Sequence, residues 1–212
     1  MSRYSAHIAI LVLFGICSTV STVAQAIDFS ADQIEFNKHE PKSVTTSKVY
    51  ASASGVRMEN NPGQAGEAVW ITNYRAKKVW IVRPPKKIYA EEVFREGGRK
   101  GQAGASGDDD RVDVSTLMDK KPCDGFDKSR QFGMETISGR KTAKWACGGS
   151  RTQATVMQWY DADLKMVIRE QDDSGQVGEL RNIRLGKQPD ALFQVTAGYR
   201  KVSMQELFPV VR

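Results

Sequence analysis

Residues 69–94, "VWITNYRAKKVWIVRPPKKIYAEEVF", decide the fold. Two runs of β-branched and aromatic residues flank the basic turn Arg75-Ala76-Lys77, and a third run opens at Ile88-Tyr89. Such residues fit a pleated surface, so the stretch predicts three strands: 67–74, 78–83 and 87–94. Counting with period two gives Ala68, Trp70, Thr72 and Tyr74 on one face of the first strand and Val69 and Ile71 on the other. The second strand places Val79 and Ile81 on one face and Trp80 and Val82 on the other. Both faces are apolar. Either these strands are covered on two sides, or one face packs a core and the other lines a cavity.

Working outward, the same pattern recurs. Strands are expected at 31–37, 44–52 and 56–59, and then at 131–137, 140–147, 152–161, 164–171 and 176–185. Turn residues at Ser54-Gly55, Asn60-Asn61-Pro62-Gly63, Ser138-Gly139 and Asp163 separate them. Near the end come an apolar strand (LFQV, 192–195), a Gly198-Tyr199 turn and a short helix at 203–208 opened by Ser203. Residues 97–110, "GGRKGQAGASGDDD", carry five glycines and no large apolar side chain, which reads as a flexible loop. Asp113 is placed to cap a short helix at 114–119. The expected class is mainly β (α+β), a curved antiparallel sheet forming an incomplete barrel, with a few short helices covering its concave face. No internal repeat is present.

The first 26 residues read differently. Arg3 and His7 precede an apolar run from Ile8 to Ile16, and small residues end at Ala24-Gln25-Ala26. This is the pattern of a secretory signal peptide cleaved after Ala26, with an apolar run too short for a permanent membrane span. Cleavage leaves 27–212 as a single domain of 186 residues, long enough to bury a core unaided. The removed segment holds one Lys/Arg and no Asp/Glu, so the net charge of +6 becomes +5. The expected location is the periplasm of a bacterial cell envelope. Cys17 leaves with the leader, and Cys123 and Cys147 remain as an even pair in an oxidising compartment. A disulfide between them closes a loop worth roughly 3 kcal/mol in the chain-entropy model.

Catalytic chemistry is sparse. His39 is the one histidine after cleavage and sits among Asn37, Lys38 and Glu40, a poor setting for a triad. Phosphate-loop, dinucleotide, H-E-x-x-H and G-x-S-x-G motifs are missing from the sequence. The pairs Glu91-Glu92 and Asp172-Asp173 point to opposite sides of a strand. Asp108-Asp109-Asp110 lacks the alternating spacing of a calcium loop. An enzyme, a metal site, a cofactor and a nucleic-acid partner are therefore not expected. Instead, Trp70, Trp80, Trp145 and Trp159 all fall in strands, with Met134, Met157 and Met166 nearby in sequence, as an adaptable apolar cavity would want.

Three signatures resemble a known family. "KVYASASGVRMEN" followed by "VWITNYRAKKVWIVRPPKKIYAEE" is similar to the strands of the LolA/LolB-like lipoprotein-carrier superfamily, through Gly55, Arg57, Glu59, Trp80, Val82, Pro84, Lys87 and Tyr89. "GMETISGRKTAKW" (133–145) resembles its later hairpin, and "LFQVTAGYRKVSM" (192–204) its closing segment, with Thr196 where proline is usual. The likeness runs over about 44–208 and fits best a periplasmic branch whose members mostly lack an assigned function. It implies a half-barrel whose cavity holds a lipid, a lipoprotein acyl chain or another apolar ligand, with a lipoprotein or membrane-bound protein as a possible partner. Trp70, Trp80, Tyr89, Trp145 and Trp159 are the candidate cavity residues. The alternative is a cell-envelope protein-interaction module with a filled core and no ligand. The glycine loop and the cysteine pair depart from the carriers, and no lid motif with the carriers' locking arginine is found.

Overall fold

A computed structural model describes residues 28–64, 66–93, 121–149 and 155–208. The leader, Cys17, the glycine loop at 97–110, Asp113 and the helix expected at 114–119 lie outside the described residues.

The described residues form one open, curved sheet of twelve strands. The first six are β1 (Phe29–Asn37), β2 (Glu40–Ser52), β3 (Gly55–Asn60), β4 (Ala68–Asn73), β5 (Lys78–Arg83) and β6 (Ile88–Val93). They are followed by β7 (Lys128–Ile137), β8 (Arg140–Gly148), β9 (Thr155–Asp161), β10 (Met166–Gln171), β11 (Gln176–Leu185) and β12 (Arg200–Lys201). Their order across the sheet is β12-β6-β5-β4-β3-β2-β1-β11-β10-β9-β8-β7. Two antiparallel meanders, β1–β6 and β7–β11, therefore meet where β1 pairs with β11. Two-residue β12 runs parallel to β6, held by Arg200 N–H on the Lys87 carbonyl at 2.9 Å and Val202 N–H on the Tyr89 carbonyl at 2.8 Å. The sheet is thus mixed rather than wholly antiparallel, and it does not close into a barrel.

Local chemistry explains the turns. Ser138 (φ 48°) and Gly139 (φ 79°) form a two-residue hairpin loop with both central residues left-handed, the geometry that matches strand twist. Gly55 has a different role from the turn expected of it. It begins β3, and a Cβ there would fall onto the Thr72 carbonyl oxygen, so glycine is required by the close approach of β4.

Residue parity and register define two faces. Face I carries Val49, Ala51, Val56, Met58, Trp70, Ile81 and Ala90; with Phe29, Ala31, Met166, Ile168 and Leu180 it holds most of the core. Face II carries Arg57, Glu59, Val69, Ile71, Trp80, Val82 and Tyr89. The C-terminal segment covers both. A 3-10 turn at Asp190–Phe193 packs on face II, with Phe193 wholly buried against Val69, Ile71 and Val82. Helix α1 (Met204–Leu207) packs on face I, with Leu207 against Ile81, Ile88 and Ala90. Ser203 caps α1 as expected, its Oγ accepting from Glu206 N–H at 3.2 Å. The strand expected at 192–195 is instead this 3-10 turn and the irregular chain after it. Phe193 needs a side-on approach to face II that a paired strand could not give. The described helical pieces accordingly divide between the two faces rather than sharing the concave one.

Candidate functional site

The five aromatic residues singled out in the sequence do not share a face. Trp70 packs with Met58 and Ile81 on face I, and Trp145 lies opposite Gln158 on the same face. Trp80, Tyr89 and Trp159 project from face II. Trp80 and Tyr89 pack around the cluster that receives Phe193, together with Leu192, Val195 and Tyr199. The second apolar face of 69–94 is covered by the protein's own chain.

Each face II indole is tied by its N–H to a carboxylate. Trp80 Nε1 donates to Glu91 Oε2 at 2.9 Å, and Lys78 and Lys201 donate to the same carboxyl at 3.1 and 2.9 Å. Those hydrogen bonds, that of Trp80 foremost, hold Glu91 down at about 2 against the usual 4.5. Trp159 Nε1 donates to Glu135 Oε2 at 2.7 Å, while Lys144 and Arg169 lie over its ring at 5.1 and 4.9 Å. The hydrogen bond from Lys144, then that from Trp159, lowers the Glu135 carboxyl. These are structural ladders across a sheet surface.

The residues of the family-like motifs build the seat of the C-terminal segment. Arg57 pairs with Glu59 at 2.7 Å and also donates to the Leu192 carbonyl at 3.2 Å. Asn73 donates to the Phe193 carbonyl at 2.8 Å, and Ser54 to Asp190 at 2.9 Å. Pro84 opens a 3-10 turn that Lys87 (φ 50°) closes, and the Lys87 carbonyl then takes β12. Two signatures 135 residues apart are therefore halves of one contact.

Cys123 and Cys147 form a disulfide, both buried. Beside it Gln158, 2% exposed, accepts the Cys123 N–H at 2.7 Å on its Oε1 and donates from Nε2 to Glu170 at 2.8 Å. Glu170 in turn borders a groove of about 550 Å³ between β1, β11, β10 and the tip of β2. Its face I side chains include Gln33, Glu35, Gln158, Glu170 and Gln176, with Gly178 in the middle. None of the five predicted aromatics lines it. Amides and carboxylates share the lining about equally with apolar groups, Ile168 and Leu180 among them, and Arg169 also borders it. On the reverse of the same strands, burial raises the Glu179 carboxyl, but hydrogen bonds from Arg181 and Ser138 outweigh it and the net shift is downward.

Sequence reading missed this groove because its lining is a mixture of ordinary polar and apolar residues drawn from five strands. One signal was present: Gly178 inside the strand expected at 176–185 marks a place where a side chain is dispensed with. Among the described residues, no group of three or more His, Cys, Asp or Glu is placed to hold a metal ion, and no helix is long and apolar enough to cross a membrane.

No known family's sequence profile matches the chain, and no curated protein matches it. Solved structures do. An uncharacterised conserved protein of Thermus thermophilus is similar over 84% of this chain and 91% of its own, at 12% identity and a TM-score of 0.53. MucB in the Pseudomonas aeruginosa MucA/MucB complex matches over 84% of this chain at 16% identity and a TM-score of 0.48; the likeness spans 59% of that chain. A LolA superfamily protein of Nitrosomonas europaea matches at 11% identity over 80% of this chain and 90% of the other, with a TM-score of 0.34. These likenesses concern the fold.

Proposed function

We propose that this chain is an exported cell-envelope protein that works by binding a protein partner, on a curved-sheet scaffold whose apolar faces are filled by its own side chains. The observation that carries the reading is the seating of Phe193 and its neighbours on face II of β4 and β5. A lipid carrier needs vacant apolar space, because each buried CH₂ contributes only about 0.8 kcal/mol and an acyl chain must bury many. The carrier reading asks Trp70, Trp80, Tyr89, Trp145 and Trp159 to line one cavity for an apolar ligand or a lipoprotein acyl chain, yet they divide between two faces. Export is supported by the leader-like first 26 residues and by the Cys123–Cys147 disulfide, a bond suited to an oxidising compartment.

Native mass spectrometry of the protein purified without detergent, followed by organic extraction, tests the reading. The expected result is the unliganded mass and no enhancement of a fluorescent fatty-acid probe. A co-purifying lipid or acylated species would overturn it in favour of a carrier.

A further inference from the structure

We propose that β7 is a dimerisation edge, along which a second copy of this chain adds its own β7, antiparallel, about a two-fold axis. This goes beyond the partner-binding reading and does not depend on it, since β7 closes the end of the sheet remote from the segment seated on β4 and β5.

The two ends of the sheet are finished differently. At one, β12 is laid along β6, and Val202 and Leu207 pack with Ile88 and Ala90. At the other, β7 has β8 as its one neighbour among the described residues, and nine of its ten residues are exposed. Phe132 is 57% exposed and Met134 51%. A long bare edge with large apolar side chains is a template for another strand.

Edges are commonly guarded by bulges and charges. Strand β7 has both, but they are placed to match a copy of itself. Its register on β8 shifts between Gln131 and Gly133, so Phe132 is an extra residue. Face II is therefore shared by Lys128 and Arg130 before the bulge and by Glu135 and Ile137 after it, even numbers giving way to odd. A two-fold register centred on the bulge then keeps like faces together along the whole strand. It sets Arg130 opposite Glu135 of the second copy, twice over, and Phe132 opposite Gly133 of the second copy.

The backbone agrees with that register. The two-residue loop at Ser138-Gly139 makes Ile137 and Arg140 a hydrogen-bonded pair. Stepping back from it, Glu135, Arg130 and Lys128 turn their N–H and C=O toward β8, while Ser129, Gln131, Met134 and Thr136 turn theirs outward. The same register sets Gln131 opposite Met134 and Ser129 opposite Thr136 of the second copy, so outward groups meet outward groups. The side chains are ready for it. The Arg130 guanidinium lies over the Phe132 ring at 5.0 Å, a stacking that leaves its N–H edge free for a carboxylate. Glu135 accepts from Lys144 on one oxygen and Trp159 on the other, and each oxygen has a further lone pair. A Cβ on Gly133 would meet no atom within 4 Å, which leaves room for the ring of the second copy's Phe132.

Sedimentation velocity over a concentration series tests the proposal, with hydrogen exchange followed at both ends of the series. The expected result is a reversible monomer–dimer equilibrium, with exchange slowed in the dimer at Ser129, Gln131, Met134 and Thr136 and unchanged along β6. Arg130→Glu and Glu135→Lys should each weaken the dimer by about tenfold, because each sets like charges opposite one another across the axis. Mixed, the two variants should form a heterodimer of wild-type strength, since every altered charge then faces its opposite. Mixing would not repair a structural defect. If Glu135→Lys fails to fold through loss of its bond to Trp159, Arg130→Glu and the exchange pattern carry the test. A dimer indifferent to Arg130→Glu, or protection at another edge, overturns the proposal. A monomer at every concentration also overturns it and leaves the bare edge to a strand of another protein.

Discussion

Phe193→Ala probes the step on which the functional reading turns. The ring is 0% exposed and lies against Val69, Ile71 and Val82, with Trp80, Tyr89 and Tyr199 around it. Truncation leaves the Asn73 hydrogen bond to its carbonyl, so the segment stays tethered and only the ring is lost. Removing a wholly buried Phe costs about 3–5 kcal/mol, transfer and cavity together. In a chain of this size, each kcal/mol lowers Tm by about 2–4 °C, so the midpoint should fall by about 6–20 °C. Urea unfolding followed by tryptophan fluorescence should show a lower midpoint at unchanged slope, and the variant should gain binding of an apolar dye. Phe208→Ala is the control: Phe208 is 39% exposed beneath Arg83, so its loss should cost no more than about 1 kcal/mol. A Phe193→Ala variant within about 1 kcal/mol of wild type would show that the segment does not seal face II. That face would then be free to hold a ligand.

Replacing both cysteines, Cys123→Ala with Cys147→Ala, should destabilise the protein by about 2–4 kcal/mol, measured by denaturant unfolding without reductant. It should also speed hydrogen exchange at Cys123 and its neighbours, whose contact with Gln158 the bond maintains. Glu91 is held at about 2 in the folded protein against 4.5 ordinarily, so its contribution is complete above about pH 4.5 and is lost as the pH falls toward 2. Glu91→Gln should therefore flatten the acid limb of a stability–pH curve in that window; an acid limb identical to wild type would count against the Trp80–Glu91–Lys201 network. Gly55→Ala should cost about 1–3 kcal/mol by thermal unfolding, because the new methyl meets the Thr72 carbonyl, a backbone atom that does not rotate away. A neutral result would mean that β3 and β4 are less closely apposed there.

The strands could be read from the sequence because each carries its own period-two signal and its own turn. Segments 78–83 and 176–185 are strands over the same residues that were expected, and Ser138-Gly139 turns where expected. What could not be read was the partner of a two-sided strand. Val69 and Ile71 are equally apolar whether they face a guest or Phe193, 122 to 124 residues further on in the sequence. The segment "LFQV" misleads for a related reason. Its residues have strand character, yet Phe193 is used as a plug rather than as a rung, and no local pattern distinguishes the two. The cavity aromatics were assigned by type, while their division between faces depends on register, which long-range pairing sets. The groove was hidden more deeply still, because Glu35, Gln158, Glu170 and Gly178 come together only when β1 pairs with β11.

That pairing gives the chain a particular order of assembly. Eleven of the twelve strands belong to two meanders whose neighbours are joined mostly by short turns, each able to zip as its residues emerge. The two halves are united by one ladder, in which Phe29 meets Leu185 across more than 150 residues of chain, so loop-closure entropy makes this seam slow to form. Gln33 and Glu35 lie on one side of the seam and Gly178 and Leu180 on the other. A half-made molecule accordingly holds two preformed meanders and an unfinished groove, and the groove becomes complete only with the joining that completes the sheet.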